Sequence, residues 1–230
     1  MNLDSEQIRW IVIRVGVLIA SVAIHEFGHA FMADRLGDDT PRRQGRVTLN
    51  PLAHADPIGT LLLPVIGGVY AANGGVGGFG WGKPVEWQPS RVSRKWKMST
   101  AQILVAIAGP SMNLILGTLL ELARAILVWK GVAHPSADPR GVGLYEILAF
   151  AGATNFVLFF FNLVPAPPLD GGHVAEHLMP YKYRPQFEQY ARFGPFVVMA
   201  VALIPQIAQI FLVPAQFCAN HVYTVFSHLF

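Results

Sequence analysis

The sequence predicts an all-α polytopic membrane protein with about four to six transmembrane or re-entrant segments, and three observations carry that reading. The 230-residue chain is 53% apolar and only 13% charged, against roughly a quarter charged in an ordinary soluble domain, and its mean hydropathy is +0.41. The stretches 57–82, 98–120, 147–169 and 193–220 hold no Lys, Arg, Asp or Glu, and each is longer than the ~20 residues that cross a bilayer. Lys and Arg gather between those stretches, as they do in cytoplasmic loops. They form no basic stripe of the kind that binds nucleic acid, so that partner is excluded and the lipid bilayer takes its place. The lone Cys218 rules out an internal disulfide and a cysteine metal cluster. The whole chain, 1–230, reads as a single membrane-embedded domain with a core at 8–180 and an accessory C-terminal helix in 190–230.

The first apolar segment is expected at 8–36, with Ser5 as N-cap and Gly37 as the stop. The opening residues are acidic and show no small-residue cleavage site, so this helix is expected to be retained. Residues 37–56 are charged and broken by Pro41 and Pro51, which makes them a water-side loop with a strand-like alternation from Arg46 to Leu49. The next stretch, 58–88, is apolar but rich in Gly and Pro. Irregular backbone at membrane depth survives only where protein or a water-filled cavity satisfies it, so this stretch is read as a re-entrant hairpin or broken helix pair, ending in a short extended or β-hairpin segment at 79–88.

A long helix follows at 100–129, with a kink expected at Gly109-Pro110. After a polar loop at 130–141, a third long helix at 144–163 ends in Pro165, Pro167 and Pro168. Residues 170–179 read as a helical turn or two, 180–189 as a polar link, and 193–214 as a last membrane helix broken by Pro205; the tail 215–230 is amphipathic at best. Loop 35–56 carries Arg35, Arg42, Arg43 and Arg46; loop 83–97 carries Lys83, Arg91, Arg94, Lys95 and Lys97; loop 180–192 carries Lys182, Arg184 and Arg192. These three loops are assigned to the cytoplasm, which requires residues 58–82 to enter and leave by one side. Arg9 and Arg14 stand against the rule at the opposite end of the first helix.

Within that helix lies His25-Glu26-Phe27-Gly28-His29. Positions i and i+4 share a helix face, so both imidazoles can hold one metal while Glu26 beside them can hold a water. Three ionisable groups inside an apolar segment are costly and mark function. Catalytic zinc takes three protein ligands and leaves one position open. Asp170 is the candidate for the third: it is the acid between Glu146 and Glu176, it stands at the end of a membrane segment, and Gly171-Gly172 permit close approach. The competing reading makes Asp170 the N-cap of the helix that follows.

Three motifs in order, His25 to His29, Gly109-Pro110-Ser111-Met112-Asn113, and Asn162-Leu163-Val164-Pro165-Ala166-Pro167-Pro168-Leu169-Asp170-Gly171-Gly172, resemble the signatures of the site-2 proteases, the intramembrane zinc metalloproteases. The residues from Gly45 to Thr60 and from Gly80 to Val85 are also similar to compact bacterial and archaeal members without PDZ or nucleotide-sensing domains. The resemblance covers about residues 5–190. It implies one Zn2+ per chain held by His25, His29 and Asp170, Glu26 as catalytic base, and Asn113 and Asn162 holding the substrate carbonyl or its oxyanion. It further implies a membrane-anchored protein as substrate, a prokaryotic inner or plasma membrane, and an active site nearer the cytoplasmic side. Glu86-Trp87-Gln88 and the Gly-rich insert 71–78 depart from the family pattern.

The remaining histidines are assigned blander places. His173, with its i+4 neighbour His177, is expected beside Asp170 as a supporting group rather than as a second metal site. His54 is placed on the cytoplasmic rim, and His134, His221 and His228 at the interface. Glu121 and Arg124 read as a local ion pair near the outer face. Two other functions compete: a metal-binding transporter, for which no inverted repeat is visible, and a catalytically silent membrane scaffold, against which Glu26 argues.

Overall fold

The computed structural model describes residues 3–72, 80–138 and 141–229, and among these it is helical with no strand. In chain order the helices are α1 (Ser5–Leu36), α2 (Thr40–Arg43), α3 (Leu63–Ala72), α4 (Met98–Trp129), α5 (Leu144–Asn162), α6 (Asp170–Leu178), α7 (Arg184–Ala191), α8 (Gly194–Leu203) and α9 (Pro205–Ser227). Short 3₁₀ turns stand at Pro51–Ala53, Pro89–Arg91 and Tyr181–Tyr183, and a π-helical turn at Pro57–Leu62 leads into α3. Helices α1, α4 and α5 are each long and apolar enough to span a membrane. The 32 residues of α1 reach about 48 Å, more than the ~30 Å hydrocarbon core.

Helix α1 starts one residue before the position a Ser5 cap would give, because Asp4 caps it. The Asp4 carboxylate accepts from the Gln7 backbone at 2.8 Å while the Gln7 side chain accepts from the Asp4 backbone at 3.0 Å, a reciprocal box that satisfies two otherwise orphaned donors. Gly37 ends the helix as expected, at φ 112°, a conformation that only glycine adopts without strain. Close packing of α1 on α4 rests on small residues, as it must where lipid gives no hydrophobic drive between helices. A Cβ at Gly28 would lie 2.6 Å from the Ala108 carbonyl oxygen, and Ala30, Ala33, Ala101 and Val105 are buried around the same crossing.

The expected strand at Arg46 to Leu49 is absent. Buried Arg46 instead spends its guanidinium on the carbonyls of Ala53 and Pro84, which ties the 37–56 loop to the returning chain. Residues 80–88 form neither strand nor hairpin; residue 79 lies outside the described residues, as do the insert residues 73–78. The chain nevertheless comes back to where it entered. Trp81 donates from its backbone to the Gly59 carbonyl at 3.1 Å, and Thr60 donates its hydroxyl to the Trp81 carbonyl at 2.8 Å. The two ends of the 58–82 stretch therefore meet.

Helix α4 begins at Met98 and continues through Pro110. The expected polar link at 180–189 is largely helix, and the tail is no loose appendage: α9 runs through Pro214 to Ser227. The reason is tertiary, because Ala215 and Ala219 are buried against Phe156 of α5. Arg14, at odds with the charge rule, sits over the rings of Trp10 and Phe150, each 5.7 Å away.

Glu121 and Arg124 form the expected ion pair at 2.5 Å, but it is buried, with side-chain exposures of 0% and 6%. Arg124 also lies over Tyr223 of α9 at 3.9 Å and over Tyr145 of α5 at 5.0 Å, so one guanidinium pins three helices. Arg124→Met, which strands the carboxylate, is expected to cost about 3–5 kcal/mol, whereas Glu121→Gln/Arg124→Met together should be near neutral. Thermal unfolding in detergent checks the pair; equal losses in the single and double variants would sink it.

Candidate metal centre

His25 and His29 lie one turn apart on the inner face of α1, and their Nε2 atoms are 3.1 Å apart. Asp170, the first residue of α6, brings Oδ2 to 3.2 Å from His25 Nε2 and Oδ1 to 3.4 Å from His29 Nε2. Leu169, not Asp170, occupies the N-cap position of α6, so the carboxylate is left for the histidines. All three side chains are largely buried, with exposures of 11% to 14%. From the Leu36 end of α1, His29 is about 10 Å deep and His25 about 16 Å, at 1.5 Å rise per residue.

Helix α4 fixes both rings. His29 Nδ1 is 2.8 Å from the Val105 carbonyl oxygen, which can only accept, so this nitrogen carries the proton and Nε2 presents a bare lone pair. His25 Nδ1 is 2.7 Å from Asn113 Oδ1, with the same result. Gly109 of α4 supplies the room: a Cβ there would stand 2.3 Å from His29 Nε2 and 2.9 Å from His25 Cε1. The turn before α6 is as tight, since a Cβ on Gly171 would meet the Leu163 carbonyl oxygen at 2.3 Å and one on Gly172 the Pro167 nitrogen at 2.4 Å. The glycines of the second and third motifs are therefore space for the imidazoles and for the loop that carries Asp170.

This arrangement fits zinc. Two lone pairs and a carboxylate face one another, and Asp170 Oδ2 is buried without a hydrogen-bond partner, which is unfavourable unless a cation draws the three together. Ligand atoms on a zinc tetrahedron with bonds near 2.0–2.1 Å are separated by about 3.3 Å, and the observed 3.1, 3.2 and 3.4 Å lie around that edge. Among the described residues this is the group of His, Cys, Asp and Glu side chains that can share a metal.

Glu26 follows His25 on α1, and its carboxylate lies against Gly82: a Cβ on that glycine would be 3.3 Å from Glu26 Cγ and 3.4 Å from Oε1. The returning segment thus passes directly beside the acid. Asn113 departs from its expected role. Its Oδ1 faces His25, and its Nδ2 donates to the Ser21 carbonyl at 3.2 Å and to Asn155 Oδ1 at 2.9 Å. Both amide hydrogens are spent, leaving none for an oxyanion. Asn162 is not brought to the cluster; it donates to the Leu158 carbonyl one turn back on its own helix at 2.9 Å.

His54 is not a rim residue. It is 1% exposed, bonded to the Thr48 carbonyl at 2.9 Å, and its own carbonyl accepts from the Lys83 backbone at 2.9 Å, so it holds the loop to the returning segment. His173 turns outward, with 54% of its side chain exposed and Glu176 at 4.0 Å, while His177 bonds the His173 carbonyl at 2.8 Å. Neither supports Asp170 or forms a second metal site. Sequence reasoning missed Ser21, Asn155 and the Val105 carbonyl. A polar residue inside an apolar helix was a usable signal for Asn155; a backbone carbonyl offers none.

Gly109→Ala drives a methyl into both imidazoles and is expected to abolish stoichiometric zinc, while Gly16→Ala, with nothing within 4 Å of the new carbon, should keep it. Metal analysis of the two purified variants decides; zinc retained by Gly109→Ala would refute the geometry.

Residues 131–205 match the model of peptidase family M50. The chain is 37% identical to YwhC of Bacillus subtilis over 199 residues, 86% of this chain and 82% of that protein. It is 31% identical to Rip2 of Mycolicibacterium smegmatis over 188 residues, 81% of this chain and 65% of that protein, and 36% identical to Rip2 of Mycobacterium tuberculosis over 168 residues, 72% and 57%. All three carry the words zinc metalloprotease in their names. No solved structure matches the chain. With two histidines and an aspartate converging on one point beneath an H-E-x-x-H helix, and a relative of this identity covered over most of its length, the chain belongs to peptidase family M50, the site-2 proteases.

Proposed function

We propose that the chain is an intramembrane endopeptidase that hydrolyses a membrane-anchored protein within or near its transmembrane helix. The observation that carries this reading is the convergence of Asp170 on His25 and His29 of a helix long and apolar enough to span a membrane, with Glu26 on the same turn as the histidines. His25, His29 and Asp170 would hold zinc, which when bound supplies Lewis-acid polarisation of the scissile carbonyl and acidification of a water. Glu26 takes the proton from the attacking water and hands it to the departing amine. The α1–α4 contact and the Gly171-Gly172 turn keep the ligands in place, so little reorganisation accompanies the reaction.

A substrate helix has its carbonyls locked in hydrogen bonds, so a few residues must unwind before one can be attacked. The segment around Gly82, which runs beside Glu26, is where such an unwound stretch would lie, as an added strand lies along an edge. The whole chain acts as one unit in a prokaryotic plasma or inner membrane. Basic loops at the Leu36 end of α1 and before α4 support a site nearer the cytoplasm. A metal carrier or a scaffold needs the three ligands but has no use for Glu26.

Cleavage of a model transmembrane substrate in detergent, read together with zinc content, tests the proposal. Glu26→Gln is expected to keep zinc and lose ~10²–10⁴-fold in rate, and Asp170→Asn to lose both. A Glu26→Gln variant as active as the parent would overturn the assignment of the base. A cross-linker at Trp81 or Val85 that never captures substrate would overturn the docking segment.

A further inference from the structure

Two asparagines on different helices form one chain of hydrogen bonds that ends on a zinc-facing imidazole. Asn155, in the middle of α5, donates Nδ2 to the Ala151 carbonyl at 2.9 Å and to the Ser21 hydroxyl at 3.0 Å. The Ala151 carbonyl can only accept, so the amide nitrogen must face it and Oδ1 must face Asn113. That oxygen accepts from Asn113 Nδ2 at 2.9 Å, and the Ser21 carbonyl, again an obligate acceptor, takes the other amide hydrogen at 3.2 Å. Asn113 Oδ1 is thereby turned to His25 Nδ1 at 2.7 Å. Rotating the Asn113 amide by half a turn would put a donor against His25 Nδ1 and shift its proton to Nε2, the atom that has to stay bare.

Asn113, Asn155 and Ser21 are respectively 0%, 0% and 1% exposed, so no water competes for these bonds. We infer that Asn155 is a positioning residue for the metal centre: through Asn113 it selects the tautomer of His25 whose Nε2 can ligate zinc. The inference rests on the zinc reading proposed above. It gives α5, whose residues lie outside the metal group, a defined part in the site, and it explains a wholly polar three-residue knot at the α1–α4–α5 junction. Supporting partners of zinc-bound histidine typically carry 10–100-fold in metal affinity.

The test is zinc affinity of the full chain in detergent, by competition with a chelator of known affinity, together with the visible spectrum of the cobalt-substituted protein and the melting temperature of the metal-free protein. Asn155→Leu keeps the branched shape and removes all three bonds; it is expected to bind zinc 10-fold or more weakly, with an altered cobalt spectrum and a metal-free melting temperature close to the parent's. Asn155→Asp, protonated at this buried position, keeps an oxygen toward Asn113 and an O–H toward Ala151, and should bind within a few-fold of the parent. Thr154→Val, which removes only a bond to the Phe150 carbonyl of the same helix, should bind normally. Because the leucine variant has a new apolar group in a polar knot and is the one at risk of misfolding, Ser21→Ala gives a gentler arm and is expected to weaken zinc several-fold. Parental affinity in both Asn155→Leu and Ser21→Ala, or a loss in Asn155→Asp as deep as in Asn155→Leu, overturns the inference. A parent chain that binds no zinc overturns the metal reading instead.

Discussion

Two bare imidazole nitrogens held 3.1 Å apart inside a membrane helix are the constraint on which the rest of this structure depends. In water such a pair would rotate apart or take up protons. Here rotation is closed off, because each ring is pinned by its far nitrogen, one by a backbone carbonyl and one by an amide oxygen. The electrostatic cost of that arrangement is met only when a cation lies between the two nitrogens and the Asp170 carboxylate. The protein thus builds an electrostatic deficit and assigns one kind of ligand to fill it.

Most of the unusual local chemistry of the chain serves this point. Gly109 is empty space shaped to two rings, Gly28 lets α4 come close enough for its carbonyl and amide to reach them, and Gly171-Gly172 let Asp170 arrive from a different helix. None of these glycines is required by its own turn conformation, since the positive-φ glycines are Gly37, Gly45 and Gly131. They are required by distance. In a membrane, where helices gain little from burying apolar surface against one another, such approaches are also the main source of helix–helix contact, so the packing of the fold and the geometry of the site are set by the same residues.

That coupling decides what was legible in the sequence. The spanning helices, the convergence of His25, His29 and Asp170, and the broken helix in the 58–88 stretch follow from local arithmetic: apolar length, i to i+4 spacing, an acid in an otherwise apolar run, and Gly and Pro where a straight helix would fail. The position of Asn113 was legible from its motif, but its role was not, because the role depends on acceptors 92 and 42 residues away. His173 misled for the converse reason. Spacing placed it near Asp170 along the chain, yet α6 turns it outward. The end of α9 was missed because Pro214 and a polar tail argue locally against helix, while Ala215 and Ala219 packing on Phe156 argue for it and prevail.

Helix α4 carries two buried polar clusters, and the contrast between them separates structure from chemistry. At Glu121 and Arg124 an acidic and a basic side chain lie 2.5 Å apart on one helix, so the cluster finds its counter-charge within the protein and serves as a clamp. At Gly109 and Asn113 the neighbouring α1 presents the imidazoles of His25 and His29, α6 adds the Asp170 carboxylate, and Glu26 follows His25 in the chain. A divalent cation against two carboxylates gives a net charge of zero, the state a low-dielectric surrounding favours. The same surrounding gives Asp170 and Glu26 a shared electrostatic reason to stand where a divalent cation would balance both.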